Sequence, residues 1–341
     1  MNPHPYLLPF SWLYGIGVFA RNKLYDWKIF SETKVSVPVI SVGNITTGGT
    51  GKTPFTEIIT KFFLQQKKRV AIVSRGYGRK TKNLVVVSDG EKILANVEEA
   101  GDEPFQLANN IPNAIIIVNE KRADAARYAI EKFSAEIIVM DDGFQHRALH
   151  RDLNILLITD NTFTTSVLPV GYRREMLNSV KRANAVVITK VEKNSSYEKI
   201  ISTIKKYTSV PIFTSSYHLD SFVKCDDKKN ISIEELQKKK CIAICAIANP
   251  EHFYETLKKV GCCIEDFFPF PDHHYYKQEE LQKIISTIQQ KNIEYVITTE
   301  KDAAKLLPFF SSTNISLLIA KGKITIHQQN QWEQLLLSHT L

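Results

Sequence analysis

From Val35 onward, short runs of β-branched and aliphatic residues alternate with longer stretches of helical character. That alternation predicts parallel strands joined by crossover helices, an α/β fold. The expected strands fall into two sets. The first comprises Val37 to Val42, Val70 to Ser74, Leu84 to Val87, Ala114 to Val118 and Glu136 to Met140. The second comprises Leu153 to Ile158, Ala185 to Thr189, Cys241 to Ile247, Tyr295 to Thr299 and Ile315 to Ile319. The simplest division falls close to residue 150, giving one lobe over 31–150 and a second α/β lobe over 151–341 that closes the active-site cleft. The lysine-rich stretch Lys224 to Lys240 reads as a solvated loop and helix, and there is no internal repeat or low-complexity linker.

Residues 1–30 follow a different pattern. Tyr6 to Ala20 carry no charge, and the basic cluster Arg21, Lys23 and Lys28 follows directly. A secretory signal would place its positive charge before the apolar run and a small-residue cleavage site after it, and neither is present. The run is shorter than the roughly 20 residues needed to cross a bilayer, and Pro9, Gly15 and Gly17 interrupt it. At helical spacing Leu8, Trp12, Ile16, Phe19, Leu24 and Trp27 share one broad face, with Arg21 and Lys28 towards the other. This predicts an amphipathic helix lying in a membrane interface, with tryptophans at the headgroup boundary. The competing expectation is a helix that packs its apolar face on the protein's own core.

Composition narrows the picture without deciding it. With 341 residues, 43% hydrophobic and 23% charged, the chain is globular and too long for one comfortable core, which again implies two domains. A formal charge of +8 favours acidic partners such as phosphates or an anionic membrane surface. No helix-turn-helix, zinc module or clustered basic-aromatic face is present, so nucleic acid is not an expected partner. The cysteines, Cys225, Cys241, Cys245, Cys262 and Cys263, have no zinc-like spacing and read as reduced thiols of a cytosolic protein.

The strongest chemical signal lies at Val39 to Pro54, where an apolar strand runs into Gly43-Asn44-Ile45-Thr46-Thr47-Gly48-Gly49-Thr50-Gly51-Lys52-Thr53 and then a helix. Gly48, Gly49, Thr50 and Gly51 would let backbone N–H groups approach phosphates, and the helix N-terminus adds its positive dipole end. Lys52 would reach the β and γ phosphates of ATP, and the Thr53 hydroxyl would face Mg²⁺. Thr46 stands where the strict motif has its first glycine, so this is a variant phosphate loop. A second element should hold the magnesium from a neighbouring strand. Ile137-Ile138-Val139-Met140-Asp141-Asp142 supplies it, with either carboxylate able to bind the ion directly or through water.

Taken together, the motifs resemble those of the tetraacyldisaccharide 4'-kinases of lipid A synthesis over nearly the whole chain. They are Ser11-Trp12-Leu13-Tyr14-Gly15, the phosphate loop, Ser74-Arg75-Gly76-Tyr77-Gly78, Gly101-Asp102-Glu103-Pro104, Lys121-Arg122, Asp141-Asp142-Gly143-Phe144-Gln145-His146, Pro271-Asp272-His273-His274 and Thr299-Glu300-Lys301-Asp302-Ala303. The resemblance implies transfer of the ATP γ-phosphoryl group to the 4'-hydroxyl of a lipid A disaccharide 1-phosphate. It places that reaction at the cytoplasmic face of the bacterial inner membrane, with no obligate protein partner expected. It further implies that Asp102 accepts the hydroxyl proton, that His273 rather than His274 is its partner, and that Arg75 and Arg122 hold phosphate charge, with Arg174 a weaker candidate. On the residues alone Asp102 also suits a helix N-cap, and Asp272-His273-His274 also suits a metal site or a surface loop. One segment departs from the family pattern. Leu168-Pro169-Val170-Gly171-Tyr172-Arg173 replaces a leucine-proline-alanine-glycine-proline sequence, which puts substrate contacts near Tyr172 in question.

The rival from another class is a partitioning or metal-insertase type ATPase switch, which also carries paired glycines before Gly-Lys-Thr. Those loops usually have a lysine just before the glycine pair, and here Thr47 occupies that position.

Overall fold

The structure is a computed structural model that describes residues 5–191, 197–237, 239–311 and 313–340. The chain divides into two compact units, Met1–Ser216 with Thr325–Leu341, and Tyr217–Ile324.

The first unit is built on strands β1 (Val39–Asn44), β2 (Val70–Ser74), β3 (Val85–Asp89), β4 (Ile115–Val118), β5 (Ile137–Met140), β6 (Leu153–Ile158), β7 (Ala185–Ile188) and the start of β8 (Ile212–Lys224). Their order is β8-β7-β6-β1-β5-β2-β4-β3. All pair in parallel except β3, which runs antiparallel to β4. The strands β1, β2, β4, β5, β6 and β7 are buried along their whole length, which is why they read as continuous aliphatic runs rather than alternating ones. The connecting helices are α1 (Leu8–Asp26), α2 (Lys52–Gln65), α3 (Val97–Ala100), α4 (Asp102–Asn110), α5 (Arg122–Phe133) and α6 (Glu198–Ile204). Helix α2 buries Phe55, Ile59 and Phe63, one apolar position per turn.

In the second unit the strands are the remainder of β8, β9 (Asn230–Ile231), β10 (Lys240–Cys245), β11 (Cys263–Pro269), β12 (Tyr295–Thr298) and β13 (Ser316–Ile326), with helices α7 (Ile233–Leu236), α8 (Pro250–Lys259), α9 (Gln278–Gln290) and α10 (Glu300–Phe310). The parallel order is β11-β10-β12-β13. A last helix, α11 (Gln329–Ser338), returns to the first unit. Its buried Trp332 meets Phe55 and Phe213 edge-on, with ring centroids 6.1 and 5.3 Å away. This aromatic contact ties the C-terminus to the helix that follows the phosphate loop.

All ten expected strands are present, nine of them within two residues, while β13 runs seven residues beyond its expected end. Strands β8, β9 and β11 were not expected from the sequence. Most of β8 is polar, and β11 is half-exposed with Glu265 and Asp266 inside it, so neither carries an aliphatic run. The stretch Lys224 to Lys240 contains β9 and α7, not loop and helix alone. The division expected near residue 150 lies instead at Ser216, with Thr325–Leu341 returned to the first unit. The reason is register: β6 pairs with β1 and β7 pairs with β6, so the chain beyond residue 150 extends the sheet already begun.

Helix α1 spans part of the predicted segment, and its packing inverts the core-packing expectation. Its small residues Ser11 and Gly15 are the buried ones, while Trp12, Leu13 and Ile16 are each at least 64% exposed. Of the six residues expected on the apolar face, Leu24 alone is half-buried. The Ser11 hydroxyl donates to the Val167 carbonyl at 2.7 Å, and a Cβ on Gly15 would stand 3.2 Å from the Met176 methyl. Among the described residues no helix is long and apolar enough to cross a membrane.

Candidate active site

The site assembles where central strand β1 ends. Between Asn44 and Lys52 the chain forms an open loop in which Gly48 and Gly51 take φ of 100° and 86°, values that disfavour any side chain. No atom lies within 4 Å of where a Cβ on Gly48 or Gly49 would be, which leaves room above their backbone. Helix α2 then starts at Lys52, with its first N–H groups directed at the loop. The loop is fixed from beneath. Asn44 Nδ2 donates to Thr50 Oγ1 at 2.8 Å, and Thr189, at the end of β7, donates its hydroxyl to the Thr50 carbonyl at 3.0 Å. Near the end of β1, Gly43 meets Phe144 so closely that a Cβ would lie 2.6 Å from the Phe144 nitrogen.

Parallel pairing of β1 with β5 sets Asp141 and Asp142 beside this loop. Asp141 is buried and accepts the Thr56 hydroxyl at 2.9 Å. Burial, the neighbouring Asp142 charge and Glu103 push its carboxyl up to about 7. Asp142 behaves oppositely. Burial alone would raise it, but Lys52, 3.9 Å away, together with Arg174 and Arg122, brings it down to about 2. Arg174 makes a bidentate contact with both Asp142 oxygens, at 3.0 and 2.9 Å, and its NH2 also donates to Asn44 Oδ1. The two carboxylates therefore differ in proton affinity because only Asp142 has cations in contact.

Arg122 is the first residue of α5 and is buried. Burial lowers its guanidinium to about 10, against the pull of Asp142. Its NH1 lies 3.3 Å from His146 Nδ1, and burial with the surrounding Arg122, Arg151, Arg21 and Arg75 charges holds the His146 imidazole down at about 3. Arg75 follows β2 with an exposed side chain whose charge is felt by both Arg122 and His146. Asp102 is buried at the first position of α4. Gly101, not Asp102, occupies the N-cap position of that helix, so the capping alternative for Asp102 does not hold. Lys52, Asp141, Asp142, Glu103, Arg75, Arg122 and Arg174 thus form one electrostatically coupled group at the C-terminal ends of a parallel sheet, the usual position for a ligand in such folds.

The model of the family described as "LpxK: Tetraacyldisaccharide-1-P 4'-kinase" matches residues 3–340. The chain belongs to that family. A tetraacyldisaccharide 4'-kinase from Chlorobaculum parvum is 37% identical over 302 residues, covering 87% of this chain and 82% of the relative. The Aquifex aeolicus protein of the same name is 37% identical over 300 residues, covering 88% and 89%. Among solved structures, LpxK from Aquifex aeolicus in complex with ATP superposes with a TM-score of 0.79 at 33% identity over 98% of each chain. The ATPase-switch reading is thereby set aside, and the chain is a kinase of this family with the α/β fold expected.

Around Tyr172, where the chain departs from the family pattern, the loop is held by its backbone. Thr47 N donates to the Tyr172 carbonyl at 2.7 Å and Arg174 N donates to the Ile45 carbonyl at 2.7 Å, so the loop docks on the phosphate loop through main-chain groups. The Tyr172 side chain is 52% exposed and takes no part in that docking. His273 and His274 belong to the second unit. His274 Nε2 lies 2.9 Å from Glu280 and its ring stacks on Phe270, which marks it as a packing residue. Among the described residues no three His, Cys, Asp or Glu side chains converge as a metal site, so Asp272-His273-His274 is not one.

Sequence reasoning did not identify Glu175, Asn44, Gln145 and Thr189 as organisers of the site. Glu175 is 1% exposed and accepts from Asn22 at 2.8 Å, Gln145 at 3.1 Å, Ser179 at 2.7 Å and Arg182 at 2.9 Å. Gln145 Nε2 also donates to the Asn44 carbonyl at 2.7 Å. One buried carboxylate therefore links α1 to the end of β1. Its only sequence signal is the Arg174-Glu175 pair.

Proposed function

We propose that this chain transfers the γ-phosphoryl group of ATP to the 4'-hydroxyl of tetraacyldisaccharide 1-phosphate. The observation that carries the reading is the joining of an open glycine loop at a helix N-terminus to a paired carboxylate flanked by Lys52, Arg174 and Arg122. Phosphoryl transfer needs alignment and charge neutralisation more than covalent help, and this constellation offers both. The backbone N–H groups from Gly48 to Lys52 cradle the phosphates, and the Lys52 ammonium reaches the β and γ oxygens. Arg122 and Arg75 take charge that builds on the transferring group.

The donor set also suits Mg²⁺. A Thr53 hydroxyl in the first helical turn and two adjacent carboxylates are hard oxygen ligands, and the Asp141 carboxyl, pushed up by burial and by Asp142, would be relieved by a cation beside it. Thr53, Asp141 and Asp142 would hold the ion, which supplies charge neutralisation at the β and γ phosphates. Asp102 takes the proton of the 4'-hydroxyl as its oxygen bonds to γ-phosphorus and the bond to the bridging oxygen of ADP breaks. The resemblance to the family implies a supporting role for His273 in this step.

The exposed face of α1 supports a peripheral membrane location. Its exposed Tyr6, Leu8, Phe10, Trp12, Leu13, Ile16 and Phe19, followed by Arg21 and Lys23, suit insertion into the headgroup boundary of an anionic membrane. The enzyme would act peripherally at the cytoplasmic face of the inner membrane, where ATP and the lipid acceptor meet.

The test is γ-labelled ATP with purified protein, Mg²⁺ and the lipid acceptor in mixed micelles. Label should enter the lipid at the 4' position, and Lys52→Ala should abolish most of that transfer. Asp102→Asn should lower turnover while ATP still binds. Release of free phosphate without labelled lipid would overturn the proposal.

A further inference from the structure

The motif Thr299-Glu300-Lys301-Asp302 has no role in the chemistry above, yet in the second unit it surrounds the histidine that the kinase reading uses. Lys301 Nζ donates to Asp272 Oδ1 at 2.7 Å and lies 3.1 Å from His273 Nε2. The lysine side chain is only 14% exposed and that of His273 23%, so water competes weakly for this contact. The backbone of the histidine is held by the same motif. Thr299 caps α10, its hydroxyl donating to Asp302 Oδ2 at 2.7 Å, and that buried carboxylate accepts the Ala246 N–H at 2.9 Å. The Ala246 carbonyl in turn accepts the His273 N–H at 3.3 Å. His273 sits at φ 61°, a left-handed conformation that needs such support in a non-glycine residue.

We infer that Lys301 is a positioning residue that fixes His273 as the neutral tautomer with its proton on Nδ1. A lysine ammonium has three donors and no lone pair, so Nε2 can meet it only as an acceptor and must be unprotonated. Asp272 anchors the ammonium, and its own oxygen is 3.9 Å from Nε2, too far to draw a proton there. The ring then serves through Nδ1–H as a hydrogen-bond donor that can orient a carboxylate. This rests on the kinase reading for the use made of His273, but the tautomer itself does not depend on it.

The experiment is a long-range ¹H–¹⁵N correlation spectrum of the full chain labelled at histidine, in detergent micelles near pH 8, with the resonance assigned by its loss in His273→Gln. The expected spectrum has His273 Nε2 unprotonated and Nδ1 protonated. Lys301→Met should move the proton towards Nε2 and lower kcat about 10-fold or more at unchanged KM for ATP. Lys301→Arg, which keeps a donor, should retain the tautomer. A wild-type ring protonated at Nε2 overturns the inference even if the methionine variant fails to fold, and so does an unchanged tautomer in a folded Lys301→Met. Wild-type turnover in His273→Gln beside the expected wild-type spectrum would uphold the tautomer and remove His273 from the chemistry.

Discussion

Arg174 grips both carboxylate oxygens of Asp142, and the backbone on either side of that arginine is hydrogen bonded to the phosphate loop and to α1. Arg174 N donates to the Ile45 carbonyl at 2.7 Å, while the Tyr14 hydroxyl donates to the Arg174 carbonyl at 3.2 Å. The contact fixes the Asp142 rotamer and keeps its carboxyl ionised.

Arg174→Ala should therefore lower kcat on the order of 10²-fold, in the range seen when one preorganised charge contact is deleted from an active site. Arg174→Lys should recover little, because an ammonium cannot reproduce a two-oxygen fork. Steady-state transfer of label to lipid measures both. Wild-type kcat in either variant would show that the clamp is idle.

Much of this arrangement was legible in the sequence. The fully buried strands announce themselves as aliphatic runs, and Lys52, Asp141 and Asp142 follow strand ends that parallel register brings together. Glu175 was not legible in the same way. Two of its partners, Ser179 and Arg182, share the short helix just after it, but Asn22 and Gln145 come from distant segments, and no periodicity marks a network whose members meet only after folding. Strand β11 escaped notice because it is a half-exposed edge with carboxylates in it, and the division near residue 150 failed because nothing local says which sheet a strand will join.

Glu175 offers a stability prediction. Removing a buried carboxylate leaves the Arg182 guanidinium without its ion-pair partner, and breaking such a pair costs about 3–5 kcal/mol. Glu175→Ala should approach that loss in urea unfolding midpoints, with Glu175→Gln milder because it keeps one acceptor oxygen. A change below about 1 kcal/mol in the alanine variant would mean that neighbouring groups relax to fill the gap.

The exposed face of α1 separates binding from folding. Trp12→Glu with Ile16→Glu alters side chains that are 69% and 64% exposed, so the melting temperature should be nearly unchanged. Transfer to acceptor embedded in anionic vesicles should fall at least about 10-fold, since each lost apolar anchor is worth about 1.5 kcal/mol or more at an interface. Transfer to detergent-dispersed acceptor should fall far less. Equal loss on both would place these residues in substrate contact instead of membrane docking.

His146 contributes one part of the response to acid. Its folded-state value near 3 lies below the ordinary 6.5 because burial and the surrounding arginines disfavour an imidazolium. Above pH 6.5 the ring is neutral in both states and imposes no cost. As pH falls below that value the unfolded chain takes up a proton that the folded one refuses, so stability declines through the window between about 6.5 and about 3. By pH 5 the loss should be on the order of 1 to 2 kcal/mol, the upper figure following from about 1.36 kcal/mol per pH unit and the lower from the partial solvent access of the ring. His146→Gln keeps an acceptor for Arg122 but cannot be protonated. Urea unfolding of both proteins at pH 7.5 and pH 5 should show a smaller acid loss in the variant by that amount. Identical losses would mean that the imidazole is solvated well enough to protonate in the folded state.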